Sequence, residues 1–144
     1  MEREDTLIEN NKWRARILHI IVGIGALFGG MAAILSPSGK AVGISAAEAL
    51  KHGPFTDFLI PGIFLFVVLG VGNIIAFITA KYKNKYQAYI SGCLGVILCL
   101  WIIIQCYMLY TINALHIIFF IIGALQIFLS IKLTRNRIGK TADE

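Results

Sequence analysis

The sequence predicts an all-α integral membrane protein, built as a four-helix bundle with a short helix in its outer loop. Hydrophobic residues make up 58% of the 144-residue chain, against about 45–50% in soluble domains, and the mean hydropathy is +0.78. Four segments reach the about 20 apolar residues that a helix needs to cross a bilayer core. They contain no Asp, Glu, Lys or Arg and cover residues 17–35, 58–80, 88–110 and 112–131. We therefore expect a single membrane domain over residues 1–144.

The distribution of basic residues predicts the orientation of these spans. All but two of the 13 Lys and Arg residues lie before the first span, between the second and third, or after the fourth. Because cytoplasmic loops carry an excess of Lys and Arg, we expect a multi-pass protein of the cell membrane with both termini in the cytoplasm. The net charge of +5 then reflects topology, and nucleic acid is not an expected partner. The first span exceeds the about 7–15 apolar residues of a signal peptide, which favours an uncleaved helix.

The ends of the chain are expected to lie on the cytoplasmic surface. Residues 6–16, TLIENNKWRAR, are predicted to form a short juxtamembrane helix with Trp13 at the membrane interface. Residues 138–144 are predicted to be a frayed tail.

The outer loop, residues 36–57, predicts a turn followed by a short helix. Pro37 and Gly39 are placed as in a tight turn. Ser45 and Glu48 have the spacing of a capping box at a helix start. The following Gly-Pro pair ends that helix, which we expect to lie over the outer surface of the bundle.

Small residues predict where the helices approach closely. In lipid, apolar burial does not drive association, so close packing and interhelical hydrogen bonds hold helices together. In the first span Gly25 and Gly29 lie four residues apart, with Ala26 and Gly30 beside them. In the third span Ser91, Gly95 and Cys99 recur at the same spacing. These two faces are the expected tight contacts. The three cysteines of the third span are too far apart along one helix for a disulfide bond, lack the spacing of a metal site, and are interpreted as packing residues.

Polar residues inside the spans predict two interhelical hydrogen bonds. Gln105 and His116 flank an expected break at Thr111, and each lies about 7–9 Å below that turn at a rise of ~1.5 Å per residue. Asn73 and Gln126 share a level in the inner half by the same count. We interpret each pair as one hydrogen bond that contributes about 0.6 kcal/mol on average. His19 lies only two residues inside the first predicted span, on the cytoplasmic side. We interpret it as a residue of the membrane interface.

An alternative interpretation assigns some of these residues to a pocket. Gln105 and His116 lie near the outer mouth, with Trp101 close in sequence, and could hold the polar head of an amphipathic ligand such as a quinone or a lipid. Asp57 is a further candidate at the same mouth. For Asp57 the simpler interpretation is a cap on the second span.

Three stretches carry a resemblance to known proteins. These are LSPSG (35–39), GPFTDFLIPGIFLFVVLGVGN (53–73) and WIIIQ (101–105). They resemble a family of small bacterial four-span membrane proteins with a Pro-Phe-x-Asp motif at the outer re-entry and Trp-x-x-x-Gln in the third span. The resemblance covers nearly the whole chain and implies the same fold. The layout is also similar to that of DoxX-like membrane proteins, some of which are associated with quinol oxidation or thiol stress.

The sequence predicts a non-enzymatic accessory, scaffold or stress-related membrane protein. No nucleophile, acid-base pair or metal cluster is evident on the aqueous sides, and we expect no cofactor or metal. The alternative is a quinone- or lipid-binding, redox-associated subunit. A small transporter is disfavoured because the spans contain no carboxylate. The expected partners are the lipid bilayer and either another membrane protein or further copies of the chain.

Overall fold

The computed structural model describes residues 2–80, 82 and 86–142, and its regular elements over these residues are all helical. In chain order they are α1 (Glu2–Leu35), a 3-10 turn (Lys40–Val42), α2 (Ala46–Ala49), α3 (Leu59–Phe64), a π-helical segment (Leu65–Val71), α4 (Gly72–Thr79), α5 (Gln87–Leu109) and α6 (Ala114–Ala142). The elements α3, the π segment and α4 form one continuous helix. Residues 81–86, which connect the second and third predicted spans and are expected to form a cytoplasmic turn, lie largely outside the described residues.

Four of these helices are long and apolar enough to cross a membrane. The spans are Thr6–Leu35, Leu59–Thr79, Gln87–Leu109 and Ala114–Asn136, named here the first to fourth spans. The predicted fold class, an all-α four-helix bundle with a short loop helix, is confirmed. The protein is a small multi-pass membrane protein.

Consecutive spans pack antiparallel. Along α1, Gly23, Leu27 and Gly30 meet Ile74, Gly70 and Phe66 of the second span in descending order. Along α5, Gly92 and Gly95 meet Ser130 and Gly123 of α6, again in descending order. Both termini therefore lie at one end of the bundle, which we call the terminal end. The opposite end, with residues 36–58 and 110–113, is the loop end.

The long helices extend further than the apolar segments. Helix α1 is continuous from Glu2 to Leu35, so residues 6–16 are helical, as predicted, but form one long helix with the first span. Helix α6 continues to Ala142, so most of the predicted frayed tail is helical. Residues 2–16 and 132–142 include no proline, so the backbone hydrogen bonds of both helices continue beyond the apolar segments. At the predicted break near Thr111, α5 ends at Leu109 and Tyr110 adopts a left-handed φ of 51°.

The loop between the first two spans folds over the loop end. Helix α2 is only four residues long, and the side chain of Ser45 makes no capping hydrogen bond. The predicted capping box is therefore wrong, and the amide of Ala46 instead donates to the carbonyl of Ser38. Ala46 and Leu50 are buried against Met108 of the third span, with Phe55, Phe58 and Leu109 packed around them.

The closest helix contacts occur at glycines. At Gly30, an added Cβ would lie 2.6 Å from the backbone nitrogen of Phe66. At Gly95 it would lie 2.8 Å from the carbonyl oxygen of Gly123. The third-span prediction is confirmed at Gly95. In the first span the backbone contact lies at Gly30 of the predicted face, whereas the nearest neighbours of Gly25 and Gly29 are side-chain atoms.

Candidate functional site

One polar residue from each span meets near the terminal end, in a cluster that we call the junction. Its members are His19, Asn73, Ser91 and Gln126, all 1% exposed or less. His19 Nδ1 lies 2.7 Å from Asn73 Oδ1, and His19 Nε2 lies 3.0 Å from Ser91 Oγ. Gln126 Nε2 donates to the same Asn73 oxygen at 3.0 Å. The junction therefore connects all four helices by hydrogen bonds.

The partners determine where the protons lie in the junction. Asn73 Oδ1 can only accept, so His19 Nδ1 and Gln126 Nε2 both donate to it. Their convergence on one oxygen explains the 3.2 Å separation between the two nitrogens. In the neutral imidazole, Nε2 then accepts the hydroxyl proton of Ser91. Asn73 Nδ2 donates to the carbonyl of Leu69 at 2.8 Å, which leaves Gln126 Oε1 as the buried atom of this cluster without a described partner.

The junction confirms one prediction and corrects another. The predicted bond between Asn73 and Gln126 is present. The interpretation of His19 as interfacial is wrong, because α1 begins well before the apolar segment and places this residue inside the bundle. Its spacing from Ala15, Val22 and Ala26, which are also buried, is the signal in the sequence that could have identified it, since i, i+4, i+7 spacing marks one helix face.

A second polar site lies in the loop-end half, around a cavity of about 210 Å³. The first and fourth spans form one side of it, through Gly25, Gly29, Leu115 and Phe119. The third span supplies Leu98, Trp101, Ile102 and Gln105, and the fourth also supplies Asn113 and His116. An apolar core that includes Val22, Leu69 and Leu98 separates this cavity from the junction.

Trp101 is fixed in the wall of the cavity but lacks a hydrogen-bond partner. Its ring stacks on Phe64 with centroids 4.4 Å apart and an interplanar angle of 28°. The residue is 6% exposed, and its indole Nε1 has no partner among the described residues. Buried indole N–H groups usually find an acceptor. The Trp101 side chain thus combines a place in the cavity wall with a buried N–H that no described residue accepts.

Gln105 and His116 line the same cavity, as the pocket interpretation expected, but they are not bonded to each other. His116 Nδ1 accepts the backbone N–H of Asn113 at 3.3 Å, and Asn113 Oδ1 accepts the N–H of His116 at 3.3 Å. The predicted bond between Gln105 and His116 is wrong, because the capping of α6 orients the His116 ring through Nδ1 and Nε2 makes no bond to Gln105. The neutral ring then carries its proton on Nε2, so His116 and the Gln105 amide both offer donors.

The cavity has an opening beside exposed residues of the first and fourth spans. Gly29, Asn113 and Leu115 line it and are exposed, whereas Trp101 and His116 are buried. The cavity therefore reaches the surface of the bundle at the loop end.

Asp57 lies elsewhere. Its Oδ1 accepts the backbone N–H of Leu59, the first residue of α3, at 2.9 Å, so the carboxylate holds the turn that leads into the second span. It lines a separate surface depression with Lys40 and Thr56, and it is not among the cavity residues. The structure thus brings together three of the four pocket candidates.

The described residues include no group of three or more His, Cys, Asp or Glu side chains placed to hold a metal ion. Cys93, Cys99 and Cys106 are free thiols, and Cys99 Sγ donates to the carbonyl of Phe120 at 3.7 Å.

Comparisons with protein families, with curated proteins and with solved structures found no match to this chain.

Proposed function

We propose that this membrane protein binds the polar head of an amphipathic ligand, a quinone or a lipid, in the cavity lined by Trp101, Gln105 and His116. The observation that carries the proposal is the buried, unpartnered indole N–H of Trp101 in the wall of that cavity. The protein acts as a non-enzymatic, ligand-carrying accessory subunit.

The chemistry of the cavity defines the ligand. Trp101 Nε1, the Gln105 amide and His116 Nε2 are donors, so the ligand offers acceptor oxygens such as the carbonyls of a quinone ring or of a lipid ester. The remaining wall is apolar, which suits a hydrocarbon tail. At about 210 Å³, the cavity is below the about 300–1,000 Å³ of sites that enclose whole drug-sized molecules. It therefore takes a headgroup or one ring, and the tail stays in the membrane.

Native mass spectrometry of the full chain, extracted in a mild detergent, tests this proposal. We expect a retained small molecule on the wild type and at least about tenfold lower occupancy in Trp101→Phe, because phenylalanine keeps an aromatic ring but removes the N–H. His116→Ala should lower occupancy as well. Trp13→Phe is the matched control, since Trp13 is 59% exposed, and should retain the ligand. Equal occupancy in all four proteins, or no adduct on the wild type, would refute the proposal.

We also propose that the terminal end faces the cytoplasm in the cell membrane. Support comes from the basic residues, since all but two of the 13 Lys and Arg flank the spans at that end. Fusing a reporter that is active only in the cytoplasm to either terminus should give signal in both cases. Signal from one terminus alone would contradict the orientation.

Association with another membrane protein or with further copies of the chain is part of the proposal. The mass spectra described above also report the stoichiometry of the protein extracted from the membrane.

A further inference from the structure

One side of α6 near the terminal end combines basic and apolar side chains around a depression of about 460 Å³. The residues that line the depression are Phe128, Ile131, Lys132, Arg135 and Asn136. They recur every three or four residues, which places them on the same side of the helix. Asn136 is half-buried, and the other four residues are exposed. This side of α6 is therefore directed away from the bundle, and we call it the basic face.

The basic face lies at the depth where the apolar part of the membrane gives way to the headgroups. Gln126 Nε2 and His19 Nδ1 are 3.2 Å apart, which aligns α6 with the antiparallel α1. Lys132 follows Gln126 by six residues and Trp13 precedes His19 by six, so both lie about 9 Å beyond the junction. Trp13 is exposed, as is typical of tryptophan at a membrane interface. The two apolar residues of the basic face therefore lie on the membrane side of this level, and Arg135 lies on its polar side.

The charges of the basic face are not neutralised by the protein. Neither Lys132 nor Arg135 has an ion-pair partner among the described residues, whereas Lys12 at the same end of the bundle pairs with Glu9 at 2.9 Å. No acidic residue lines the depression. Because the two cations are three residues apart on one helix, they are neighbours and repel each other. A negatively charged group placed between them would relieve this repulsion.

We propose that the basic face binds one anionic phospholipid of the membrane leaflet at the terminal end. Lys132 and Arg135 hold the lipid phosphate, for which the arginine guanidinium is well suited, and an acyl chain lies along Phe128 and Ile131. The order of the side chains along α6, apolar and then basic, matches the order of tail and phosphate in a phospholipid. A small free anion would match the two cations alone. The site lies at the other end of the bundle from the cavity and does not depend on the function proposed for that cavity.

Lipid titration followed by native mass spectrometry tests the site on the full chain in detergent. We expect the first phosphatidylglycerol to bind more tightly than the first phosphatidylcholine. Arg135→Gln should weaken phosphatidylglycerol binding by about fivefold, and Lys132→Gln combined with Arg135→Gln by about 25-fold, since each basic residue near an anionic headgroup contributes a similar amount. Arg14→Gln is the matched control, with the same charge change at an exposed position of α1. It should weaken binding by less than about twofold, because Arg14 does not line the depression.

A further variant and a competitor complete the test. Lys132→Arg keeps the charge and should bind phosphatidylglycerol at least as tightly as the wild type, and circular dichroism should show the same helical content in all variants. The bound lipid should resist displacement by millimolar inorganic phosphate. Displacement by phosphate would show a site for a small anion and would overturn the assignment to a lipid. Equal effects of Arg14→Gln and Arg135→Gln, or equal affinities for phosphatidylglycerol and phosphatidylcholine, would also overturn the proposal.

Discussion

The polar side chains buried in the spans differ in how completely the protein itself satisfies them. In the junction, both ring nitrogens of His19 and both polar atoms of Asn73 have partners from the protein. In the cavity, the Trp101 indole has none among the described residues. An unpaired donor in an apolar environment costs about 1–3 kcal/mol. The hydrogen bonds of the junction therefore stabilise the bundle, whereas the unpartnered Trp101 donor is the basis of the ligand proposal.

Removing Asn73 should loosen the bundle. Asn73→Leu eliminates the acceptor shared by His19 and Gln126 and leaves both of these buried side chains short of a partner. We expect the free energy of unfolding to fall by about 1–2 kcal/mol, measured by denaturant titration in detergent. Asn10→Leu, the same change at an exposed position of α1, should have little effect.

A double-mutant cycle isolates the bond between Asn73 and Gln126. Combining Asn73→Leu with Gln126→Leu should give a coupling energy of about 0.6 kcal/mol, and no more than about 1.7 kcal/mol. Strict additivity of the two substitutions would show that the two side chains do not interact.

Asp57 should contribute to stability as a cap and not to ligand binding. Asp57→Ala removes the acceptor for the Leu59 amide and should lower the free energy of unfolding by about 1 kcal/mol. Asp57→Asn keeps an acceptor oxygen and should be close to the wild type. Ligand occupancy, measured by mass spectrometry, should be the same in all three proteins, and a loss of ligand in Asp57→Asn would instead place this carboxylate in the binding site.

At the scale of helices, close packing depends on glycines that meet backbone rather than side-chain tips. Gly30→Ala would place a methyl group 2.6 Å from the Phe66 nitrogen and 2.8 Å from the Gly62 oxygen. Backbone atoms cannot move aside without shifting the helix, so we expect a loss of about 1–3 kcal/mol. Gly29→Ala is the control, because its nearest neighbour is a Leu65 methyl at 3.3 Å. Equal unfolding midpoints for the two variants would argue against this contact.

The existence of the four helices could be predicted from the sequence because long apolar segments without charges have few other structures available in a membrane. Their ends could not be predicted from hydropathy, since backbone hydrogen bonds extend α1 and α6 into polar sequence. The π segment Leu65–Val71 also left no signal in the apolar pattern. A π segment rotates the residues that follow it around the helix axis relative to those that precede it. The direction in which the Asn73 side chain points therefore depends on this segment.

At the scale of the whole molecule, the two halves of the bundle have different characters. The terminal half contains the junction of His19, Asn73, Ser91 and Gln126. The loop-end half contains the cavity and, in a separate cluster, the packing of Leu50 on Met108. An apolar core lies between the junction and the cavity.

Counting residues from the loop end predicted which polar residues share a level, and it identified both the bond of Asn73 with Gln126 and the common wall of Gln105 and His116. It could not predict which members of a level bond to each other. Which side chains bond to each other depends on the direction in which each one points. His116, for example, accepts the backbone N–H of Asn113 and makes no bond to Gln105. It also could not identify His19 and Ser91, because the level of a residue on the first or third span depends on where that helix enters the membrane.

The fluorescence of Trp101 tests the ligand cavity most directly. In Trp13→Phe, Trp101 is the remaining tryptophan of the two in the chain, so its emission reports on the cavity alone. This variant in lipid nanodiscs can be titrated with a short-chain benzoquinone and, separately, with a phospholipid brominated near its headgroup. We predict that one of the two quenches Trp101 along a saturable curve, and that adding His116→Ala shifts this curve to higher concentrations. If both probes quench Trp101 linearly with concentration, and His116→Ala leaves the quenching unchanged, the cavity does not bind either molecule and the proposed ligand site is wrong.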